Sequence, residues 1–348
     1  MPRFAANLTL LFTEVPMLDR PDWAVRSGFD GVEVLFPYDQ PMSDWETALN
    51  GLPLALINTP PGDWASGDRG FAAVPGMELR FRDSFLRAAE YATRLKAGRV
   101  HVMSGVAKGP QAEQCYAENL AWALAEVPGL TLTVEPLNPD DMPGYFLNDY
   151  DQAARILDDI GDPRIGLQFD LWHAARLHGD AGAVWAEHRH RINHVQIAGF
   201  PARNEPGGGG FSLPDLCDEI DAHCPEVWIA AEYRPARGTA QGLGWLAALK
   251  SRGALIGDRG GGLAPHRGGQ ARIAMDGRRR SQSARAVVFG AGRRSVPCVR
   301  GAVTAKSGQR QQTGPGPCAM MPPRPRSLPA GKWPATAARA RWAIRASG

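Results

Sequence analysis

Four short apolar runs decide how this chain folds: Leu130-Thr131-Leu132-Thr133-Val134, Ile165-Gly166-Leu167-Gln168-Phe169, Ile192-Asn193-His194-Val195 and Val227-Trp228-Ile229-Ala230-Ala231. Each is closed by an acid or an amide, in order Glu135, Asp170, Gln196 and Glu232. The runs recur at about the spacing of strand–helix units. They read as parallel strands whose C-terminal ends face one bowl, which is where β/α barrels keep their chemistry. Further apolar segments at 4–8, 31–35, 54–58 and 99–103 precede them, so the strands number eight with 130–135, 165–170, 192–197 and 227–232. Apolar residues recur at three- and four-residue steps over 78–95, 112–124, 150–160 and 213–222, and a last helix is expected over 242–251. Eight such units imply a closed (β/α)8 TIM barrel. Periodicity alone does not show closure, so a doubly wound open sheet is the alternative, but no Gly-x-Gly-x-x-Gly follows the first strand to support a dinucleotide fold.

The chain has 348 residues, 44% of them hydrophobic, enough for one barrel domain of about 250 residues. Its charge is uneven. From Ile256 onward there are 18 Lys or Arg against 2 acids, while residues 1–255 carry 21 against 34, a net of −13. The expected division is therefore a barrel over 1–255 and a disordered Arg-, Gly-, Pro- and Ala-rich tail over 256–348. Such a tail reads as a basic arm, a passive linker or the translation of a shifted frame in GC-rich DNA. Arginines scattered among glycines and prolines favour the last, and resequencing codons 245–260 tests it. Five cysteines without metal-ligand spacing, and an N-terminus too short and polar for a span, point to a cytoplasmic protein without structural disulfides.

Three carboxylates and an amide at neighbouring strand ends make an oxygen-rich cage for a hard divalent cation, Mg²⁺ or Mn²⁺, since Zn²⁺ more often recruits His or Cys. Glu135, Asp170, Gln196 and Glu232 are the candidate ligands. Glu135 and Glu232 can also flank a substrate from two sides, as moving a proton between adjacent carbons requires. Any one of these acids alone reads equally well as a helix cap or a rim ion pair; four together favour the metal. His173, three past Asp170, is a substrate-binding or supporting candidate, and a plain rim histidine otherwise. His101 lines the pocket from the fourth strand or is a satisfied core histidine. Arg203, in the loop after the seventh strand, is the leading candidate to hold an anionic group, or else a surface arginine. His194 is expected to fill the barrel interior, His188-Arg189-His190-Arg191 to be the solvated end of a helix, and Gly207-Gly208-Gly209-Gly210 to be a hinge.

Phe4-Ala5-Ala6-Asn7-Leu8, Gly31-Val32-Glu33, Pro61-Gly62-Asp63-Trp64, Glu135-Pro136-Leu137-Asn138, Asp170-Leu171-Trp172-His173, His194-Val195-Gln196-Ile197-Ala198 and Glu232-Tyr233 closely resemble hydroxypyruvate isomerase, a family of xylose-isomerase-like TIM barrels. The resemblance covers roughly residues 3–250 in order. It implies interconversion of hydroxypyruvate and tartronate semialdehyde without an organic cofactor. Carried over, it makes Glu135 and Glu232 the acid/base pair, adds them to Asp170 and Gln196 as metal ligands, and sets His173 and Arg203 where related epimerases bind substrate. The family usually has Gly-x-Gly-Glu where Gly207-Gly208-Gly209-Gly210 stands, so an acidic group is missing from that loop.

Isomerases of 2-oxo-tetronates share these motifs and are the first alternative. Sugar ketose epimerases usually carry a metal-binding His where Gln196 stands. A metal-dependent endonuclease-like barrel binding nucleic acid would use several strand-end histidines and is disfavoured by the −13 of the barrel half. A non-catalytic binding module is the last alternative. The expected partners are a small keto-acid and possible further copies of the chain, with no nucleic acid and no membrane.

Overall fold

The computed structural model describes residues 2–208 and 212–259. Eight parallel strands form a closed barrel in sequence order: β1 Arg3–Asn7, β2 Gly31–Val34, β3 Leu54–Asn58, β4 Val100–His101, β5 Leu132–Val134, β6 Ile165–Asp170, β7 Ile192–Ile197 and β8 Trp228–Ala231. β1 closes the barrel by pairing with both β2 and β8. The helices between and after them are α1 Arg20–Arg26, α2 Met42–Leu49, α3 Glu78–Leu95, α4 Pro110–Glu126, α5 Tyr150–Ile160, α6 Leu171–His178, α7 Ala181–His188, α8 Leu213–His223 and α9 Gly244–Arg259. The barrel read from the apolar runs is borne out.

Local chemistry sets the helix ends. Asp149 accepts a hydrogen bond from the Gln152 backbone N–H at 2.6 Å to start α5, and Gly161 at φ 62° ends it. α3 turns Phe81, Phe85, Ala88, Ala92 and Leu95 inward at three- and four-residue steps against the sheet. Each fully buried side chain of Phe or Leu size contributes ~1.5–3 kcal/mol.

Period-two alternation divides every strand between two environments. On β6, Ile165, Leu167 and Phe169 face the apolar layer beneath the helices, and Gly166, Gln168 and Asp170 share the opposite, inner face. On β8, Ile229 and Ala231 join that layer while Trp228 and Ala230 do not. Ala5, Ala55, Trp228 and Ala230 form a separate small cluster, with the Arg3 guanidinium 4.6 Å from the Trp228 ring. A Cβ at Gly31 would come within 2.8 Å of the Trp228 indole, so glycine is what lets that ring pack against β2. Further along, the inner face turns polar, through Asn7, Glu33, Thr133, Gln168, His194 and Gln196, all buried.

Several elements differ from expectation. β4 and β5 are shorter, leaving Glu135 just past the last strand residue. α6 and α7 were not legible as helices; Gly179 at φ 76° breaks one from the other, and Asp180 caps the second through the Gly182 and Ala183 N–H groups. His188 is buried at 3% exposure rather than solvated, because the end of α7 packs on α5, with the Tyr150 ring 5.9 Å away and Asp151 3.5 Å from Nε2. α9 runs to Arg259, four residues past the expected boundary at 255. The remainder of the expected disordered tail, 260–348, with Cys298 and Cys318, lies outside the described residues, as do Gly209 and Gly210 of the expected hinge. Cys115, Cys217 and Cys224 are free thiols. No helix among the described residues is long and apolar enough to cross a membrane.

Candidate active site at the mouth of the barrel

The strand order delivers the four run-closing residues side by side. Asp170 and Gln196 are register partners of β6 and β7, and Glu135 and Glu232 directly follow β5 and β8. All four are buried, with exposures of 5% for Glu135, 0% for Asp170 and Gln196, and 7% for Glu232.

Asp170 serves two purposes, one with each oxygen. Oδ1 accepts from the Trp172 backbone N–H at 2.9 Å and caps α6, while Oδ2 lies 3.2 Å from Arg203 Nη2 and 3.6 Å from His173 Nε2. A helix cap, the plain alternative for such a strand-end acid, is one role that Asp170 fills. Glu232 Oε1 accepts from Arg203 Nη2 at 2.9 Å and Oε2 from Asn7 Nδ2 at 3.1 Å. Glu135 Oε2 accepts from Gln168 Nε2 at 2.8 Å, and the same nitrogen donates to Gln196 Oε1 at 2.7 Å. Gln196 Nε2 in turn donates to Glu33 Oε1 at 2.8 Å.

His173 is buried at 3% exposure with Nδ1 accepting from the Asn138 backbone N–H at 3.0 Å. A backbone N–H only donates, so Nδ1 keeps its lone pair and the neutral ring carries its proton on Nε2, toward Asp170. Burial, then the Arg203 charge, hold this imidazole well below its usual range. His101 is also buried, its Nδ1 3.6 Å from Glu135 Oε2, and burial pushes its pKa down to about 3. Neither ring nitrogen of His101 has a hydrogen-bond partner, and nor does Gln168 Oε1.

Arg203 reaches in from the loop after β7. Its backbone takes φ 54°, its N–H donates to the Gly199 carbonyl at 2.8 Å, and its carbonyl accepts from the Arg234 N–H at 2.9 Å. The guanidinium bridges Asp170 and Glu232, lies 5.8 Å from the Trp172 ring, and approaches Asp141 Oδ2 at 3.4 Å. Asp141 also accepts from Trp172 Nε1 at 2.6 Å, so the loops after β5 and β7 meet beside the start of α6. Burial opposes the Arg203 charge, but Asp170, Glu232, Glu135 and Asp141 more than offset it and its pKa rises.

The carboxyls respond in the opposite sense. Burial raises the pKa of Glu135 well above the usual carboxylate range, and the Glu232 and Asp170 charges add to this. Asp170 and Glu232 are raised by burial too, with Arg203 pulling the other way. A cation relieves both penalties. Ligand atoms of Glu135, Asp170 and His173 all lie within 4.8 Å of one another, a grouping able to hold an ion. Acidic and histidine groups that could hold a metal are thus present at the mouth, with Glu232 joined to Asp170 through Arg203 and orphaned polar atoms on His101 and Gln168 nearby.

Sequence reading did not single out Asn7, Glu33 or Gln168 as site residues. Their signal was the strand period: Gln168 is two before Asp170 and so shares its face, as His194 shares that of Gln196. Those two meet Glu33 as well, His194 Nε2 at 2.7 Å from Oε2, confirming His194 as interior packing.

A closed parallel barrel with buried carboxylates around its C-terminal mouth defines a class, and comparison with known proteins places the chain in it. Residues 21–249 match the family described as xylose isomerase-like TIM barrel, and the chain belongs to that family. Within it the chain falls with isomerases. It is 43% identical to the 2-oxo-tetronate isomerase of Cupriavidus necator over 254 residues, covering 71% of this chain and 98% of that one. It is 37% identical to the hydroxypyruvate isomerase of Escherichia coli, also over 254 residues with 71% and 98% coverage. A solved barrel from Brucella melitensis, described as an AP endonuclease of family 2, is 39% identical with a TM-score of 0.68, covering 71% of this chain and 99% of that one. The expected isomerase relationship is thus borne out, and the protein is an isomerase.

Proposed function

We propose that this isomerase interconverts a short 2-oxo-3-hydroxy acid and its aldehyde isomer, hydroxypyruvate and tartronate semialdehyde, by proton transfer between C3 and C2. The observation that carries the reading is the trio of buried carboxylates, Glu135, Asp170 and Glu232, converging at the mouth beside one arginine. Glu135 and Glu232 form the acid/base pair: one takes the C3 proton through a free oxygen and a proton is returned at C2. As the bond shifts, the C3 hydroxyl gives up its proton and the C2 oxygen gains one, passing through an enediolate. Arg203 holds the substrate carboxylate, and His173, its Nε2–H on the side of Asp170, donates to a substrate oxygen. His101, buried and neutral, lines the wall beside Glu135. Glu135, Asp170, Gln196 Oε1 and Glu232 would hold Mg²⁺ or Mn²⁺, which supplies Lewis-acid polarisation of the substrate oxygens. The reaction needs no nucleic-acid, membrane or organic-cofactor partner, and the free thiols suit a reducing cytoplasm.

A second substrate is favoured by a specific observation: the relative at 43% identity is a 2-oxo-tetronate isomerase. The test is turnover of hydroxypyruvate and of a 2-oxo-tetronate side by side, by protein stripped of metal and then given Mg²⁺ or Mn²⁺, with proton NMR for the aldehyde product and for solvent deuterium at C3. Conversion of the four-carbon acid alone reassigns the substrate and keeps the mechanism. Inertness toward both, by protein shown to be folded, removes the proposal.

A further inference from the structure

Glu33 stands at the centre of the polar inner face without a role in the chemistry above. It is fully buried on β2. Oε1 accepts from Asn7 Nδ2 at 2.7 Å and from Gln196 Nε2 at 2.8 Å, while Oε2 meets His194 Nε2 at 2.7 Å. A carboxylate only accepts, so an amide facing it must present its nitrogen. On the far side of Gln196, Oε1 lies 2.7 Å from Gln168 Nε2, a donor. Both neighbours impose the same orientation on the Gln196 amide, nitrogen toward Glu33 and oxygen toward the side of Gln168 and Glu135. Hard cations are bound by the oxygen of an amide. Asn7 extends the same control, because the nitrogen it gives to Glu33 also donates to Glu232 Oε2 at 3.1 Å.

We infer that Glu33 is a positioning residue for the cation site: it locks Gln196 with its oxygen turned to the ligand side and, through Asn7, holds the Glu232 carboxylate. This rests on the metal reading proposed above. Glu33 acts through Gln196 and Asn7, and replacing it removes the acceptor that holds the Gln196 nitrogen away from the ligand side, leaving Gln168 alone to orient the amide. Outer partners of metal ligands typically tune affinity by about 10–100-fold.

Titration of metal-free protein with Mn²⁺, following the free ion by electron paramagnetic resonance, measures this without reference to turnover. Glu33→Gln is expected to weaken Mn²⁺ binding by about 10–100-fold. In a Gln196→Glu background the ligand has an oxygen on either side and needs no orientation, so Glu33→Gln is expected to have little effect there. Glu33→Asp, which keeps an acceptor but withdraws it, serves if Glu33→Gln does not fold, and it too is expected to weaken binding. An equal loss in both backgrounds means Glu33 supports the fold alone and overturns the inference, as does unchanged affinity in Glu33→Gln or Glu33→Asp. Absence of Mn²⁺ binding by the unaltered protein instead removes the metal reading on which the inference stands.

Discussion

Replacing Glu232 by glutamine separates chemistry from architecture, because both oxygens of this carboxylate are engaged by donors. Oε1 accepts from Arg203 and Oε2 from Asn7. A glutamine keeps one acceptor, so its amide nitrogen must confront one of those donors. A hydrogen bond to a charged group is worth ~1.5–3 kcal/mol. Against that loss stands relief of a buried charge, since burial already pushes the Glu232 carboxyl up to about 7. The two terms oppose, leaving a net of about 1–2 kcal/mol, or a few degrees in Tm for a domain of this size. Loss of a general acid/base costs about 10²–10⁴ in rate, equivalent to ~3–5 kcal/mol of activation free energy. Glu232→Gln is therefore expected to melt within a few degrees of the unaltered protein while isomerisation falls by about 10²–10⁴. The assay is deuterium entry at C3 by proton NMR in heavy water, with saturating Mn²⁺ so that weakened metal binding is not mistaken for lost chemistry. Folded, metal-loaded Glu232→Gln that exchanges the C3 proton at the unaltered rate would refute the assignment of Glu232 to the acid/base pair.

The pH dependence of stability follows from the same burial. Burial raises Glu33, Glu232 and Asp170 to about 7, 7 and 8 from ordinary values of 4.5, 4.5 and 3.8, so the folded state binds more protons than the unfolded and loses stability as pH rises through that range. His101, lowered from 6.5 to about 3, acts oppositely, its contribution being lost as pH falls from 6.5 toward 3. Above 6.5 only the carboxyl slope remains of these two, so urea midpoints of metal-free protein are expected to fall between pH 6.5 and 8, and Mn²⁺ to flatten that fall; a rise would contradict the burial of these groups. His173→Ala removes the acceptor of the Asn138 N–H and the Nε2–H donor, and is expected to lower kcat/KM by about tenfold or more; unchanged kinetics excludes substrate contact. Phe169→Ala, on the outer face of β6 against Tyr150 and Trp185, is expected to destabilise by about 3–5 kcal/mol by denaturant unfolding without altering the site's charges. Fluorescence anisotropy with a duplex carrying an abasic site at low salt is expected to show no binding by residues 1–259, whose acids outnumber Lys and Arg; tight binding would favour the endonuclease description of the Brucella relative.

The closing residues of the four runs were legible because strand ends are marked by a change from apolar to polar, and parallel connectivity then brings them together whatever the loops do. Glu135, Asp170, Gln196 and Glu232 needed no contact information beyond that. Glu33 and Gln168 carried the same period-two signal, but a polar residue inside a strand reads equally as a solvent-facing one, and only closure of the sheet shows that the inner face is enclosed. α6 was missed for a related reason. Its N-cap is Asp170 itself, so strand, site and helix start share one residue and no linker marks the junction. The inward turn of His188 depended on how α7 leans on α5, a packing choice that charge patterning did not reveal.

Trp228 packs against β2 because Gly31 has no side chain to stop it, and the Arg3 guanidinium lies over its ring. Buried together on the inner face, Ala5, Ala55, Trp228 and Ala230 fill that part of the barrel with side chains, as a packed core rather than a pore. At the carboxylate end, Arg203, Asp141 and Trp172 meet beside Asp170 and Glu232. Under the proton transfer proposed above, the isotope content of the product would report how well these side chains shield the proton between C3 and C2: a well-shielded proton is carried over to C2, and an exposed one is washed out into solvent.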